Sequence, residues 1–244
     1  ISAIAAGKLE SLSRIKLVDF SADLDMEYVA RKLSAHPGIE YAEPVYYQHL
    51  DVLPDDPFFH PDSVAVGEDV EQRYLDFVNA PGAWDVATGD SSIVIAIIDS
   101  GTDWNHPDLN ANVWVNPGEA EFPDDGIDND GNGYEDDIHG WDFYGGTYDD
   151  RRVYGDNDPS GVGEPHGTHT AGIAAAVTNN GIGVASLSHN VRYMPVKVGS
   201  DSGESLRFGY DGIMYAAENG ADIINCSWGA LFFSNTAKEV TDAA

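Results

Sequence analysis

Apolar residues run unbroken from Ile93 to Ile98 in "SIVIAIID" (92–99), and an acid, Asp99, closes the run. A short β-branched run of this kind predicts a strand covered on both faces of a parallel sheet. "NVRYMPVKV" (190–198) and "ADIINCSWG" (221–229) predict two further buried strands. Between them, "LRFGYDGIMYAAENG" (206–220) places apolar residues at helical spacing and ends on a glycine, which predicts a helix. A helix of small residues is also predicted from His166 to Val177, after a long polar segment. This alternation predicts an α/β fold: a doubly wound, mostly parallel sheet with helices on both faces. Functional residues are then expected at the carboxyl ends of its strands.

The first fifty residues have a different texture. "RIKLVDF" (14–20) predicts a strand, "DLDMEYVARKLSAHPG" (23–38) a helix stopped at Pro37-Gly38, and "IEYAEPVYYQHL" (39–50) an aromatic-rich strand. The Pro/Asp-rich stretch "DVLPDDPFFHPD" (51–62) marks the boundary. The expected organisation is therefore a small α+β unit, 1–50, followed by a larger unit, 51–244. Within the larger unit, residues 117–165 are nearly all loop, with fifteen acids from Glu119 to Glu164 against only Arg151 and Arg152. Loops of such length are usually functional or held by something.

Composition narrows the function classes. The 244 residues are 42% hydrophobic and contain no apolar stretch long enough for a membrane helix. Net charge is −30, of which residues 1–50 contribute −2 and the remainder −28. Such a field repels nucleic acid and anionic membrane, so neither is expected as a partner. Clustered acids suit a solvated surface and equally suit hard cations such as calcium. The single cysteine, Cys226, excludes an intrachain disulfide and offers no thiol-metal site. Ile1 follows no Met or leader in this sequence, so the chain is expected to be processed or part of a longer one.

Chemistry concentrates in two stretches. Asp99 ends the first buried strand and enters "SGTDWNHPDL" (100–109), where a partly desolvated carboxylate can orient a histidine. His166 opens "HGTHTAGIAAAVTNNGIGVA" (166–185), with His169 three residues on. An acid holding an imidazole that serves a nucleophile is one reading. A strand-end cap for Asp99 and a metal pair for His166 and His169 are others, although no H-E-x-x-H occurs.

In this order "IAIIDSGTDWNHPDL", "HGTHTAGIAAAVTNNGIGVA" and "INCSWG" closely resemble the subtilisin-like serine proteases, especially thermitase-like members, over roughly residues 52–244. The resemblance implies that Asp99 orients the imidazole and that His166 is general base and then acid, with His169 structural. The family's nucleophile lies in a G-T-S-x-A motif, which is absent from these residues, as is the oxyanion-hole Asn. The nucleophile is therefore expected beyond Ala244, and residues 1–244 alone are expected to be inactive. "GSDSGE" (199–204) superficially matches another protease class, whose triad order is incompatible with this fold, so Ser202 is rejected as a nucleophile.

The resemblance further implies a substrate groove with edges at Ser202, Gly203 and Glu204 and at Ser227, Trp228 and Gly229. An extended peptide would pair with these edges as an added strand. Trp228 stands where the family commonly has Leu, and Ala230 where it has a second Gly. Residues 1–50 resemble the inhibitory propeptide of the same family, an own-chain partner of the catalytic unit, with cleavage expected between His49 and Asp56.

Two calcium sites are expected. The resemblance implies one from the side chains of Asp56, Asp108 and Asn180 with carbonyls of Val177, Ile182 and Val184. The other is read from "DNDGNGYEDD" (128–137). It places Asp128, Asp130, Asn132 and Asp136 at positions 1, 3, 5 and 9 of a calcium-loop pattern, with the Tyr134 carbonyl at 7. Position 12 is His139 rather than a bidentate Glu. The expected whole is a secreted, calcium-stabilised serine endopeptidase acting on polypeptides, in proenzyme form. The alternatives are an inactive binding or inhibitory module that keeps groove and ions, and a metal-dependent hydrolase using both histidines.

Overall fold

The computed structural model describes residues 15–16, 18, 25–44, 53–59, 72–145, 155–161, 163–201, 205–229 and 234–244. The chain divides into two units, residues 1–50 and 51–244. In the first, Met26–Ser34 forms helix α1. Asp25 caps it by accepting from Tyr28 N at 2.6 Å. Glu27 in the first turn and Arg31 and Lys32 in the last complement the helix dipole. The helix stops before Pro37, whose ring disfavours helical backbone at the preceding residue. Ser34 Oγ then both donates to the Ala42 carbonyl, at 3.1 Å, and accepts from Ala42 N, at 2.9 Å. Residues 39–44 are consequently irregular and do not form the expected strand. The rest of that expected strand, 45–50, and most of the one at 14–20 lie outside the described residues.

The second unit runs α2 (Arg73–Phe77), α3 (Ala80–Trp84), β1 (Val94–Asp99), β2 (Trp141–Asp142), α4 (His166–Ala175), β3 (Arg192–Lys197), α5 (Gly209–Glu218), β4 (Ile223–Asn225) and α6 (Asn235–Ala243). The strands pair in the order β2-β3-β1-β4, all parallel. Register aligns Asp99 with Lys197 and Lys197 with Asp142, so three ionisable side chains share the carboxyl end of the sheet.

Side chains alternate across β1 as the period of two requires. Val94, Ala96 and Ile98 meet Met194 and Val196 of β3 and Ile213, Tyr215 and Ala216 of α5 on one face. Ile95 and Ile97 meet Tyr193 of β3 and Ala171 and Ala175 of α4 on the other. The expected doubly wound sheet is thus present, with helices on both faces. Each fully buried aliphatic chain here contributes about 1.5–3 kcal/mol relative to exposure.

One strand departs from expectation. β4 is not buried on both faces, because Ile224 packs into the α5 side while Ile223 is 52% exposed. Among the described residues β4 pairs only with β1, so it forms an edge of the sheet.

A third cluster joins Phe59, Leu75, Ala80, Trp84 and Ala185. His189 packs against Trp84 with centroids 4.5 Å apart and rings tilted by 51°, and its Nε2 is buried without a partner among the described residues. Burial holds the His189 pKa below its ordinary value of 6.5. The unfolded chain therefore binds more protons below that value, and folded stability falls as pH drops through the depressed folded pKa. Between about pH 7 and about pH 5, His189→Gln is expected to lose less melting temperature than the parent. Identical pH slopes for the two proteins would sink this assignment.

Candidate active site

Parallel pairing delivers Asp99 to the end of β1, fully buried, at the mouth of helix α4. His166 is the first residue of that helix, and its Nδ1 lies 2.7 Å from Asp99 Oδ1. A carboxylate can only accept, so Nδ1 carries the proton and Nε2 presents a lone pair. The ring is 52% exposed while its acid is 0% exposed, which leaves Nε2 accessible. Asp99 Oδ1 also accepts from Ser100 N at 2.7 Å, which fixes the carboxylate's rotation. An imidazole so held can take a proton at Nε2 while the fixed negative charge stabilises the resulting cation.

The sequence around these residues explains how they meet. A Cβ on Gly167 would stand 2.2 Å from the Gly101 carbonyl oxygen and 3.0 Å from Asp99 Cβ. Gly101 has φ +107°, and a Cβ there would meet the Gly161 Cα and Lys197 Cδ, each at 2.8 Å. Main chain thus packs on main chain, and only glycine permits it. Thr168 Oγ1 accepts from Asp103 N at 2.9 Å, tying the first turn of α4 to the loop after β1.

Near the same sheet end, Ser227 and Gly229 are exposed and Trp228 is half-buried. The Trp228 indole donates to the Ile98 carbonyl at 2.7 Å and packs on Gly209, where a Cβ would meet the ring at 2.5 Å. The Trp228 side chain therefore packs against the core cluster on the α5 side. Ser202, Gly203 and Glu204 lie outside the described residues. They are flanked by an antiparallel bridge between Gly199 and Leu206.

The structure brings Asp56, Asp108 and Asn180 together. Asp56 and Asp108 are 2% and 3% exposed. Asp108 Oδ1 accepts from Asn180 Nδ2 and its Oδ2 from Val184 N, both at 2.9 Å. Asp56 accepts from Asn179 N at 2.7 Å. Ile182 N donates to Asn180 Oδ1 at 2.7 Å, and Val177 N donates to the Asp108 carbonyl at 2.8 Å. Burial raises the Asp56 pKa above the usual carboxylate range, and the nearby Asp108 charge adds to the shift. Two buried acids that repel each other, beside the Asn180 side chain, supply hard oxygens of the kind a cation such as calcium takes.

The acidic loop is arranged differently from its sequence pattern. Glu119, Asp128 and Asp130 converge, each offering one oxygen within 4.8 Å of the others. Asp136, expected as a ligand, does not join them. Its two oxygens accept from Asp125 N at 2.9 Å and Gly126 N at 2.8 Å, because the loop folds back and needs a cap there. Asn132 acts as a strut, donating to Asp137 Oδ2 at 3.0 Å and Asn219 Oδ1 at 3.1 Å. Its Oδ1 accepts from Tyr134 N at 2.8 Å. No described group of donors forms around His166 and His169, so a histidine metal centre has no support.

Among the described residues, four buried charges, Glu119, Asp137, Asp142 and Lys197, were not singled out from the sequence. Lys197 Nζ lies 2.6 Å from Asp142 Oδ2 and 3.0 Å from Asp201 Oδ1. A lone lysine inside the apolar run "YMPVKV" was the available signal. Glu119 was masked by the surrounding acids.

Comparison with known proteins agrees with this geometry. The chain is 33% identical over 221 residues to the thermophilic serine proteinase of Bacillus sp. strain AK1, covering 90% of the chain and 44% of that protein. It is 34% identical over 216 residues to the halolysin-like extracellular serine protease Nep of Natrialba magadii, covering 88% of the chain and 33% of that protein. The chain thus spans less than half the length of these relatives. Among solved structures, a protease from Pseudoalteromonas arctica superposes with a TM-score of 0.56 at 29% identity, over 78% of this chain and 55% of that one. Residues 90–243 match the model of the subtilase family, which covers Asp99, His166 and the sheet that joins them, and the chain belongs to that family.

Proposed function

We propose that the protein is a secreted, calcium-stabilised serine endopeptidase in which Asp99 and His166 serve a serine carried outside residues 1–244. The observation that carries this reading is the 2.7 Å contact between a fully buried carboxylate and an exposed imidazole. Asp99 orients the ring and stabilises its protonated form. His166 takes the proton of the nucleophile through Nε2 and returns it to the leaving amine. The substrate is an extended polypeptide, running between the 202–204 segment and the backbone of 227–229. Secretion is supported by relatives such as the extracellular protease Nep.

Residues 1–50, a unit of their own, act as the inhibitory propeptide. Calcium is bound by Asp56, Asp108 and Asn180 with the carbonyls of Val177, Ile182 and Val184, and holds the start of the second unit to the 177–184 loop.

A serine-directed fluorophosphonate probe applied to the complete polypeptide tests the reading. The expected result is stoichiometric labelling of one serine, mapped by peptide mass to a position outside residues 1–244. A folded, unlabelled protein would favour the inactive binding module instead, and a label on Ser202 or Ser227 would overturn the assigned nucleophile.

A further inference from the structure

We infer that Trp228 is a positioning residue, whose indole fastens the peptide plane leading into Asp99 and ties it to the 227–229 segment. This rests on the proteolytic reading and adds to it a mechanical link between the groove edge and the acid that holds His166. The link begins in strand register. β4 pairs with β1 through Ile95–Ile223, Ala96–Ile224 and Ile97–Asn225, and the ladder stops there. Successive carbonyls of a strand point to opposite neighbours. The Asp99 carbonyl accepts from Val198 N at 2.9 Å, on the β3 side. The Ile98 carbonyl therefore faces the other way, toward β4, at a level where β4 has already ended. It accepts instead from Trp228 Nε1 at 2.7 Å. A side chain thus continues the ladder at the last peptide before the acid.

The ring is held for this bond by its packing. Trp228 lies on the cluster that includes Ile98, Val198 and Ile213. Gly209 opens α5 beside it, and a Cβ there would stand 2.5 Å from the indole. A methyl group at that position has no room unless the ring moves off its acceptor. A tryptophan that only filled the core could satisfy its N–H on any nearby acceptor. Here the acceptor is a main-chain carbonyl that has run out of strand, one residue before Asp99, so a single bond serves ring and backbone together.

The peptide group is planar, so the Ile98 carbonyl and the Asp99 N and Cα tilt as one plate. A hand on that carbonyl is a hand on the carboxylate, which meets His166 Nδ1 at 2.7 Å. Displacement of the 227–229 segment therefore reaches the imidazole through the indole. A peptide strand laid against that segment steadies the same path, so that filling the groove also sets the acid.

The test uses the complete polypeptide, with active sites counted by fluorophosphonate labelling so that kcat is expressed per labelled serine. Trp228→Phe keeps a ring and removes the N–H. Its kcat on a peptide substrate is expected to fall by about three- to tenfold, the factor carried by one neutral hydrogen bond. KM should stay within about twofold, since the bond acts on the chemical step. Gly209→Ala leaves the indole in the sequence but crowds it, and should lower kcat in the same direction. Should Trp228→Phe fail to fold, Gly209→Ala carries the expectation alone. When both are combined, the second should add little, because the bond is already lost. A change in melting temperature with parental kcat per labelled serine in both variants would reduce Trp228 to a packing role and sink the inference. A loss confined to KM would sink it equally. An unlabelled parent would instead overturn the protease reading, and this inference with it.

Discussion

His166→Ala in the complete polypeptide is expected to remove nearly all peptide hydrolysis and to stop release of residues 1–50. Without the imidazole the nucleophile has no proton acceptor, since among the described residues no other imidazole hydrogen-bonds to Asp99. In subtilisin, a relative rather than this chain, removing the histidine costs about 2 × 10⁶ in turnover. A loss of that order is expected here. Asp99→Asn is the sharper probe, because the amide keeps the shape of the carboxylate but can donate to Nδ1. The ring then sits in the wrong tautomer with its proton on Nε2, a change that costs roughly 10⁴ in the same triad on an unrelated fold. Rates for both variants, measured on a peptide substrate at saturating calcium, check the pair. A rate within tenfold of the parent for either would remove that residue from the chemistry.

Lys197→Met is expected to destabilise the second unit by about 3–5 kcal/mol, the range seen when one partner of a buried ion pair is removed. Asp142 and Asp99 would then share the carboxyl end of the sheet without the cation that register places between them. Burial raises the Asp142 pKa, and the Lys197 charge is what opposes the rise. The lysine also contacts Asp201, at the edge of the 202–204 segment, so its loss should loosen that edge too. At roughly 2–4 °C per kcal/mol for a domain of this size, the melting temperature should fall by roughly ten degrees. Adding Asp142→Leu should restore much of the loss, since the buried carboxylate that the lysine contacts directly is then removed with it. Strict additivity of the two substitutions would show that the pair is not coupled.

The elements around β1 were legible because each is distinct in composition. The unbroken run at 93–98 gave a strand buried on both faces, and the small residues of 166–177 gave a helix that packs closely on it. Asp99 and His166 are 67 residues apart, and only the wording of their motifs linked them in advance. Lys197 had no such motif, and its partner Asp142 lies 55 residues upstream, so the pair emerged only from strand register. Glu119 stands outside the D-x-D-x-N-G pattern and reaches it through a fold-back that no local spacing encodes. The exposure of Ile223 was equally hidden, since apolar content reports what could be buried and not which neighbours cover it. Trp228, expected at a groove edge, lays its indole against Gly209, a close approach that no local spacing encodes.

The contact of Gly167 with the Gly101 carbonyl means that the span from acid to base is gauged by backbone against backbone. Repacking of the surrounding side chains cannot stretch or shorten it. Divergence in rate or preference among descendants of this chain must then come from the groove walls and the space around Nε2. The pair itself behaves as a cartridge whose bore is constant, free to be carried unchanged through large drift in everything that houses it.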